Sequence, residues 1–208
     1  MRKRLFDILF SFSMLVLCSP LLLCLILLMK ATSKGPVFFK GTRMGQGGHL
    51  ISCWKFRTMC VGAKNKLTEI LNQNSSFRQE WEIFHKLKKD PRITKIGKFL
   101  RKTSLDELPQ FWNVLKGDLS VVGPRPVEIY HPENAQDEIR RHFRDKADKI
   151  LTVKPGITCI WQTSGRNELP LERLVELEET YVNHQSFWLD LKIICKTVYI
   201  LLFPKGAY

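Results

Sequence analysis

The sequence lacks the spacings that mark the commonest metal-binding and catalytic devices. Its six cysteines, Cys18, Cys24, Cys53, Cys60, Cys159 and Cys195, form no Cys-x-x-Cys pair and no metal-ligand spacing, which argues against a metal-stapled fold. Two of them lie inside an apolar run. A disulfide framework is therefore not expected, and free thiols indicate a reducing, cytoplasmic compartment for the globular part. His85, His131, His142 and His184 show no ligand spacing either and read as surface residues. A Gly-x-Ser-x-Gly elbow, a His-Glu-x-x-His helix and a P-loop are all missing, which removes the signatures of serine hydrolases, zincins and P-loop nucleotidases. There is no internal repeat and no low-complexity stretch.

Acid is also scarce where base is plentiful. The 208 residues carry a net charge of +13, and residues 1–60 hold nine Lys/Arg against the single acid Asp7. Such asymmetry suggests a polyanionic partner, nucleic acid or an anionic membrane face. The stretch "ILFSFSMLVLCSPLLLCLILLM", residues 8–29, decides between them, because its 22 positions hold no charge. That length crosses a bilayer core of about 30 Å as one helix. It is too long for a signal-peptide core, and "MKATSKG" is a poor cleavage site. Basic residues beside an apolar anchor are what anionic headgroups attract, so nucleic acid is the weaker partner.

Both flanks of the run are basic: Arg2, Lys3 and Arg4 before it, Lys30, Lys34, Lys40 and Arg43 after it. The positive-inside rule wants each basic flank on the cytoplasmic side. A helix broken at Ser19-Pro20 that enters and leaves by one face satisfies both flanks, with Ser19 able to re-satisfy backbone groups freed at the break. A kinked span remains the alternative on these residues alone.

The rest of the chain reads as one α+β unit, small and mostly helical with short strands. We divide it into an anchor with basic flanks, 1–34, and a catalytic domain, 35–208. "GPVFF" (35–39) and "HLISCWKFRTM" (49–59) predict two strands around the turn "GQGG". Residues 64–89 predict two surface helices, and "DPRITKIGKFLRK" a turn and a short basic helix with Ile93, Ile96, Phe99 and Leu100 on one side. "LSVV" reads as a strand, 133–149 as one charged helix, "KPGIT" and "SGRN" as loops around a strand "CIWQT", and 171–183 as a helix. The apolar tail 186–203, interrupted by Asp190, Lys192 and Lys196, suits a helix on the core or in the membrane interface.

Chemistry concentrates in "TSLDELPQFWNVLKGDLSVVGPRP", residues 103–126. Ser104 and Glu107 fit a capping box, and Pro109 suits a start at Leu108; both put Asp106 and Glu107 at a helix N-terminus. First-turn acids are commonly structural, yet the helix dipole would also keep a carboxylate ionised, as a nucleophile or a Mg²⁺ ligand requires. Arg125 between Pro124 and Pro126 is either a solvated turn residue or a rigidly aimed phosphate clamp. "KFRTM" puts Lys55 and Arg57 on one side of a strand, and "KPG" and "GRN" place cations beside glycines.

These segments together, "KRLFD" before a Ser-Pro-broken apolar run, then "KFRTM", "DPRITKIGKFLRKTSLDELPQFWNVLKGDLSVVGPRP", "KPGIT" and "WQTSGRN", resemble the bacterial sugar transferase family. These are the monotopic polyprenyl-phosphate phosphoglycosyl transferases, and the resemblance runs from about Arg2 to Phe203. It resembles the catalytic portion of the hexose-1-phosphate transferases that begin exopolysaccharide or O-antigen synthesis, with the larger members' extra N-terminal transmembrane bundle expected to be absent. The resemblance implies transfer of a sugar-1-phosphate from a UDP-sugar to undecaprenyl phosphate with release of UMP, on the cytoplasmic face of the bacterial inner membrane. It implies Asp106 as the nucleophile that forms a phosphoglycosyl-aspartate, and Glu107 with Asp106 as the holders of Mg²⁺. Lys55, Arg57, Arg101, Arg125, Arg166 and Asn167 would contact phosphate or substrate, and Ser19-Pro20 matches the family's helix break and favours the hairpin. It implies no nucleic-acid partner and leaves a homodimer open. One departure is Cys159, where the family usually has Gly after "GIT"; a side chain there is expected to narrow the space beside nucleotide or sugar. The alternative reading is an inactive family member acting as a membrane-surface assembly partner.

Overall fold

The computed structural model describes residues 2–84, 87–164 and 170–203. The apolar run folds as two helices, α1 (Arg2–Leu17) and α2 (Ser19–Thr32), bent by 58° at Cys18. Pro20 accounts for the break, since it has no N–H to offer the carbonyl four residues back, that of Val16. The Ser19 hydroxyl donates to that carbonyl instead, at 2.8 Å. Among the described residues no single helix is long and apolar enough to cross a membrane; only the bent pair taken together has the length and composition. Its outer face exposes Leu9, Phe12, Val16, Leu17, Leu23 and Leu27.

Both ends of this pair are held by the rest of the chain. Buried Asp7 accepts from the Ser120 hydroxyl at 2.9 and 3.0 Å and from the Val121 N–H at 3.0 Å. Arg4 donates to the carbonyls of Val114 and Leu115, and Lys3 pairs with Asp190 at 2.6 Å. At the far end Arg57 donates to the Lys34 carbonyl at 2.7 Å and to the Ser33 hydroxyl at 2.9 Å. The expectation that the whole basic flank faces lipid headgroups is therefore corrected: Lys3 and Arg4 are used inside the protein, leaving Arg2, Lys30, Lys34 and Lys40 exposed.

Strands β1 (Phe38–Met44) and β2 (Leu50–Phe56) pair antiparallel from Phe38↔Phe56 to Met44↔Leu50. The first strand starts three residues later than the sequence suggested and runs into the Gly-rich turn. That turn needs Gly47 and Gly48 because both take positive φ, 66° and 78°. Helices α3 (Ala63–Gln73) and α4 (Ser75–Phe84) form the expected surface pair. Then come α5 (Lys95–Thr103), capped by Thr94 on the Gly97 N–H, and α6 (Gln110–Lys116), closed by Gly117 at φ 96°. On α5 Leu100 is fully buried but Phe99 is exposed, so only part of the predicted face is core.

The remaining elements differ more from the sequence reading. Strand β3 (Ser120–Val122) pairs in parallel with β4 (Gly156–Thr158), so "GIT" is strand and "WQT" is a single 3₁₀ turn. Close approach decides this: a Cβ on Gly156 would lie 2.1 Å from the Gly123 nitrogen, and one on Gly123 would lie 2.3 Å from the Lys154 carbonyl oxygen. The predicted helix over 133–149 is broken into α7 (Ala135–Phe143) and α8 (Ala147–Ile150), because Arg144 turns the chain at φ 54°. Helices α9 (Leu171–Asn183) and α10 (Phe187–Leu202) complete the fold. Asp190 of α10 is buried against Lys3 and the Tyr181 hydroxyl, while Phe187, Trp188, Val198, Tyr199 and Leu202 are exposed. The architecture is thus mixed helix and short strand, mostly helical.

Three apolar clusters hold it together. Leu25 and Met29 of α2 pack with Val37, Phe56 and Leu100. Phe6 and Phe10 of α1 lean on a cluster containing Val114, Val121, Val122, Tyr181 and Ile193. Ile139, Phe143 and Ile150 meet Cys159, Trp161, Leu174 and Val175 in the third.

Candidate active site

Residues directly opposite in an antiparallel pair share a face, so the register puts Arg43, Cys53 and Lys55 on one side of the β1–β2 hairpin. Arg43 pairs with Glu128 at 3.0 Å, and the Lys55 ammonium lies 2.7 Å from Glu107. Facing them is the acidic pair, held in a way the sequence did not foretell. Ser104 adopts φ 57° and closes α5; its side chain makes no cap bond. Leu105–Glu107 then form a 3₁₀ turn, and Pro109 precedes α6.

The capping box is therefore corrected; Asp106 and Glu107 do occupy a first turn, that of the three-residue 3₁₀ element, but no helix dipole holds Asp106 ionised. Burial dominates instead. It pushes the Asp106 carboxyl up to about 6, the like charge of Glu107 adds to this, and Lys55 and Arg101 only partly offset it. At Glu107 burial also raises the pKa, but Lys55, Arg125 and Arg43 outweigh it and hold the group below its ordinary value. Its side chain stays 26 % exposed, so this pairing is open to solvent screening. Two neighbouring carboxylates are thereby pushed apart, a common mark of divided chemical roles.

The Gly123-Pro124-Arg125-Pro126 corner docks directly on "KPGIT": Gly123 N–H donates to the Thr158 carbonyl at 3.1 Å, and Gly156 N–H to the Pro124 carbonyl at 2.9 Å. Arg125 lays its guanidinium over the Trp161 ring, 5.0 Å from the centroid, a cation–π contact that fixes its plane. A small, open cleft lies between hairpin, acidic turn and corner, lined by Arg43, Lys55, Glu107, Gln110, Arg125 and Gln162 among others.

The structure thus brings together Asp106, Glu107, Lys55 and Arg125. Arg101 stands beside them, its Nε donating to the Thr58 hydroxyl at 2.9 Å and its charge acting on Asp106. Arg57 is turned away to the end of α2. Arg166 and Asn167 lie outside the described residues. Cys159 corrects an expectation: its thiol is fully buried in the core and contacts the Gln162 amide and side chain at 3.4 Å, so it does not narrow the cleft. Sequence reasoning missed Arg43 and the Trp161 platform. Arg43 was accessible in principle, since counting the alternation back from Lys55 through a hairpin register puts it on the same face.

Among the described residues no three His, Cys, Asp or Glu side chains converge as a cage for a metal. Asp106 and Glu107 nonetheless fit Mg²⁺, which takes one or two carboxylates and completes its shell with water and phosphate. Lys55 occupies Oε1 of Glu107 and leaves its second oxygen for that role.

Known proteins resemble this chain over nearly its whole length. The profile of the bacterial sugar transferases matches residues 1–204. The chain is 44% identical over 207 residues to the undecaprenyl-phosphate galactose phosphotransferase of Salmonella typhimurium, covering 99% of this chain and 41% of that protein. It is 43% identical to the UDP-glucose:undecaprenyl-phosphate glucose-1-phosphate transferase of Klebsiella pneumoniae, again covering 99% and 41%. Against an exopolysaccharide production protein of Rhizobium meliloti the identity is 39%, covering 100% of this chain and 88% of that one. The chain thus spans about two-fifths of the length of the first two relatives. With the match running from α1 through the acidic turn to α10, the chain belongs to the bacterial sugar transferase family.

Proposed function

We propose that this chain transfers a hexose-1-phosphate from a UDP-sugar to undecaprenyl phosphate, as the first membrane step of exopolysaccharide or O-antigen synthesis. One observation carries the reading. A buried carboxyl, Asp106, is the chain neighbour of an ionised one, Glu107, which lines a cleft together with Arg43, Lys55 and Arg125. In the first step an Asp106 oxygen attacks the β-phosphorus and the bond to the bridging oxygen breaks. UMP leaves with that electron pair, and a phosphoglycosyl-aspartate remains. In the second, an oxygen of the lipid phosphate attacks the same phosphorus, breaks the bond to Asp106 and restores the carboxylate. Arg43, Lys55 and Arg125 hold the diphosphate and stabilise charge as it moves between its oxygens. Mg²⁺, when held by Glu107 and Asp106, would neutralise diphosphate charge.

The anchor gives this site its place. Arg4 and Asp7 tie the start of the bent pair, and Arg57 ties its end, to the same domain. This supports a re-entrant hairpin with Arg2 and Lys34 on the cytoplasmic face of the inner membrane, where UDP-sugars are. Purified full-length chain, undecaprenyl phosphate, Mg²⁺ and a panel of UDP-sugars test the reaction. UMP release dependent on Asp106 is expected; none with any sugar refutes it. For the hairpin, a cysteine at position 2 in a background without native cysteines should stay unlabelled by an impermeant reagent in intact cells. Labelling from outside leaves a kinked span.

A further inference from the structure

From Leu105 to Lys116 the chain winds right-handed without interruption: the 3₁₀ turn, then Leu108 and Pro109 in αR geometry, then α6. Residues three apart therefore share a side, and Glu107, Gln110 and Asn113 form one polar stripe along it. The stripe faces β2, whose second edge has no partner strand among the described residues. Both ends of the stripe are pinned there. Glu107 pairs with Lys55 at 2.7 Å. The Asn113 carboxamide stands in for a neighbouring strand: its Oδ1 accepts from the Trp54 N–H at 2.9 Å, and its Nδ2 donates to the Ser52 carbonyl at 2.7 Å and to Asp118 at 3.0 Å. Its backbone carbonyl accepts the N–H groups of Gly117, Asp118 and Leu119.

Gln110 lies between these ends with no such partner. It is 3 % exposed and lines the cleft beside Lys55 and Arg125, yet among the described residues its carboxamide makes no hydrogen bond. The other polar side chains of the cleft are engaged: Lys55 with Glu107, Arg43 with Glu128, Arg125 over the Trp161 ring, Gln162 with the Cys159 thiol. Taking a carboxamide out of water without a partner is costly, and an apolar side chain would pack there more cheaply. A ligand in the cleft that supplies the missing bond recovers that cost.

We propose that Gln110 is a further catalytic residue, whose Nε2–H donates to a non-bridging oxygen of the phosphoryl group transferred through Asp106. The inference rests on the reaction proposed above. Its neighbours point to the ligand class: Glu107, beside the nucleophile, is one turn back, and Lys55 and Arg125 are cations suited to phosphate. A neutral donor fits this place. Another cation would compete with Lys55 for Glu107, whereas an amide adds a hydrogen bond to the moving charge and leaves that pair intact. The pinned ends hold the Gln110 backbone in place before substrate arrives, so little reorganisation is needed as charge builds.

The test is Gln110→Leu, close in size and unable to donate, in the full-length chain in lipid nanodiscs. The efficiency of the UMP burst should fall about a hundredfold, with UDP-glucose and UDP-galactose alike. Its Tm should equal or exceed that of the parent, because no unpaired amide is then buried; a purely structural role would lower it. Protection against thermal unfolding by inorganic pyrophosphate without Mg²⁺ should need about ten times more ligand, while the affinity for UMP stays the same. Gln110→Met, unbranched like Gln and adaptable in packing, should behave alike, which keeps the test alive if Leu packs badly. An unchanged burst, a loss confined to one sugar, or UMP affinity falling as far as that for pyrophosphate overturns the assignment. So does a lowered Tm in both variants. If the unmutated chain releases no UMP, the reaction fails instead; pyrophosphate protection that still depends on Gln110 leaves the phosphate contact standing, and protection that does not overturns it too.

Discussion

The raised pKa of Asp106 makes the acid limb of the proposed first half-reaction a direct test of the site. A carboxyl titrating at about 6 attacks phosphorus only when ionised. Its ionised fraction is about 91 % at pH 7 and about 9 % at pH 5, so the rate should fall roughly tenfold between them with single-proton steepness. The assay is the pre-steady-state burst of UMP in the absence of undecaprenyl phosphate, which leaves out the titration of the lipid phosphate. Two variants fix the cause. Glu107→Gln removes the like charge that raises Asp106, so the limb of its residual burst should move to lower pH. Lys55→Met removes a cation that lowers Asp106, so its limb should move up. A burst rate unchanged from pH 7 to pH 5, or a limb that rises in Glu107→Gln, would refute the assignment.

Asp106→Asn should abolish the burst yet make the protein more stable at neutral pH. An acid whose pKa is raised by folding costs nothing below its unfolded value of 3.8, and its cost grows until the pH passes about 6. The full cost is about 3 kcal/mol, read as a higher Tm for Asp106→Asn at pH 8 than for the parent; equal Tm values contradict it. For Arg125→Lys, which keeps the charge but loses the planar fork over Trp161, kcat/KM should drop about a hundredfold. A Lys that works as well as Arg reduces the corner to a turn. Asp7→Asn loses the ionised acceptor shared by Ser120 and Val121 and should cost about 2 kcal/mol in thermal unfolding, with faster proteolysis between α1 and β3. Unchanged unfolding and proteolysis would mean that Asp7 does not hold α1 to the domain.

These predictions share one mechanical feature. Asp7 grips β3 from α1, and the Tyr181 hydroxyl sits 3.1 Å from the Val122 carbonyl and 2.7 Å from Asp190, which pairs with Lys3. The strand that leads into the Arg125 corner is thus fastened to α1 from both sides. Helix α1 and the candidate site form one framework, and a change at residue 7 is expected to be felt at residue 125.

The sequence alone determined the features that depend on neighbours along the chain. Pro20 breaks the apolar run because it lacks an N–H, and Ser19 sits where its hydroxyl reaches the orphaned carbonyl. Alternation predicted the hairpin, glycines its turn, and two prolines the rigid corner. The adjacency of Asp106 and Glu107 is covalent, so it could not be missed. Only the tertiary structure decided what surrounds these groups. Desolvation, not a helix dipole, governs Asp106, because burial depends on which distant segments close over the turn. Lys3 finds its partner 187 positions away, Arg57 turns to the end of α2, and Arg43 comes round to face Glu107. Cys159 points into the core beside Glu178 because β4 pairs with β3, a register set by two glycines 33 residues apart along the chain. Hydrogen-bond losses at a proline are local and legible in a string of letters; the choice of partner for a charge is settled by packing, which no short window of sequence contains.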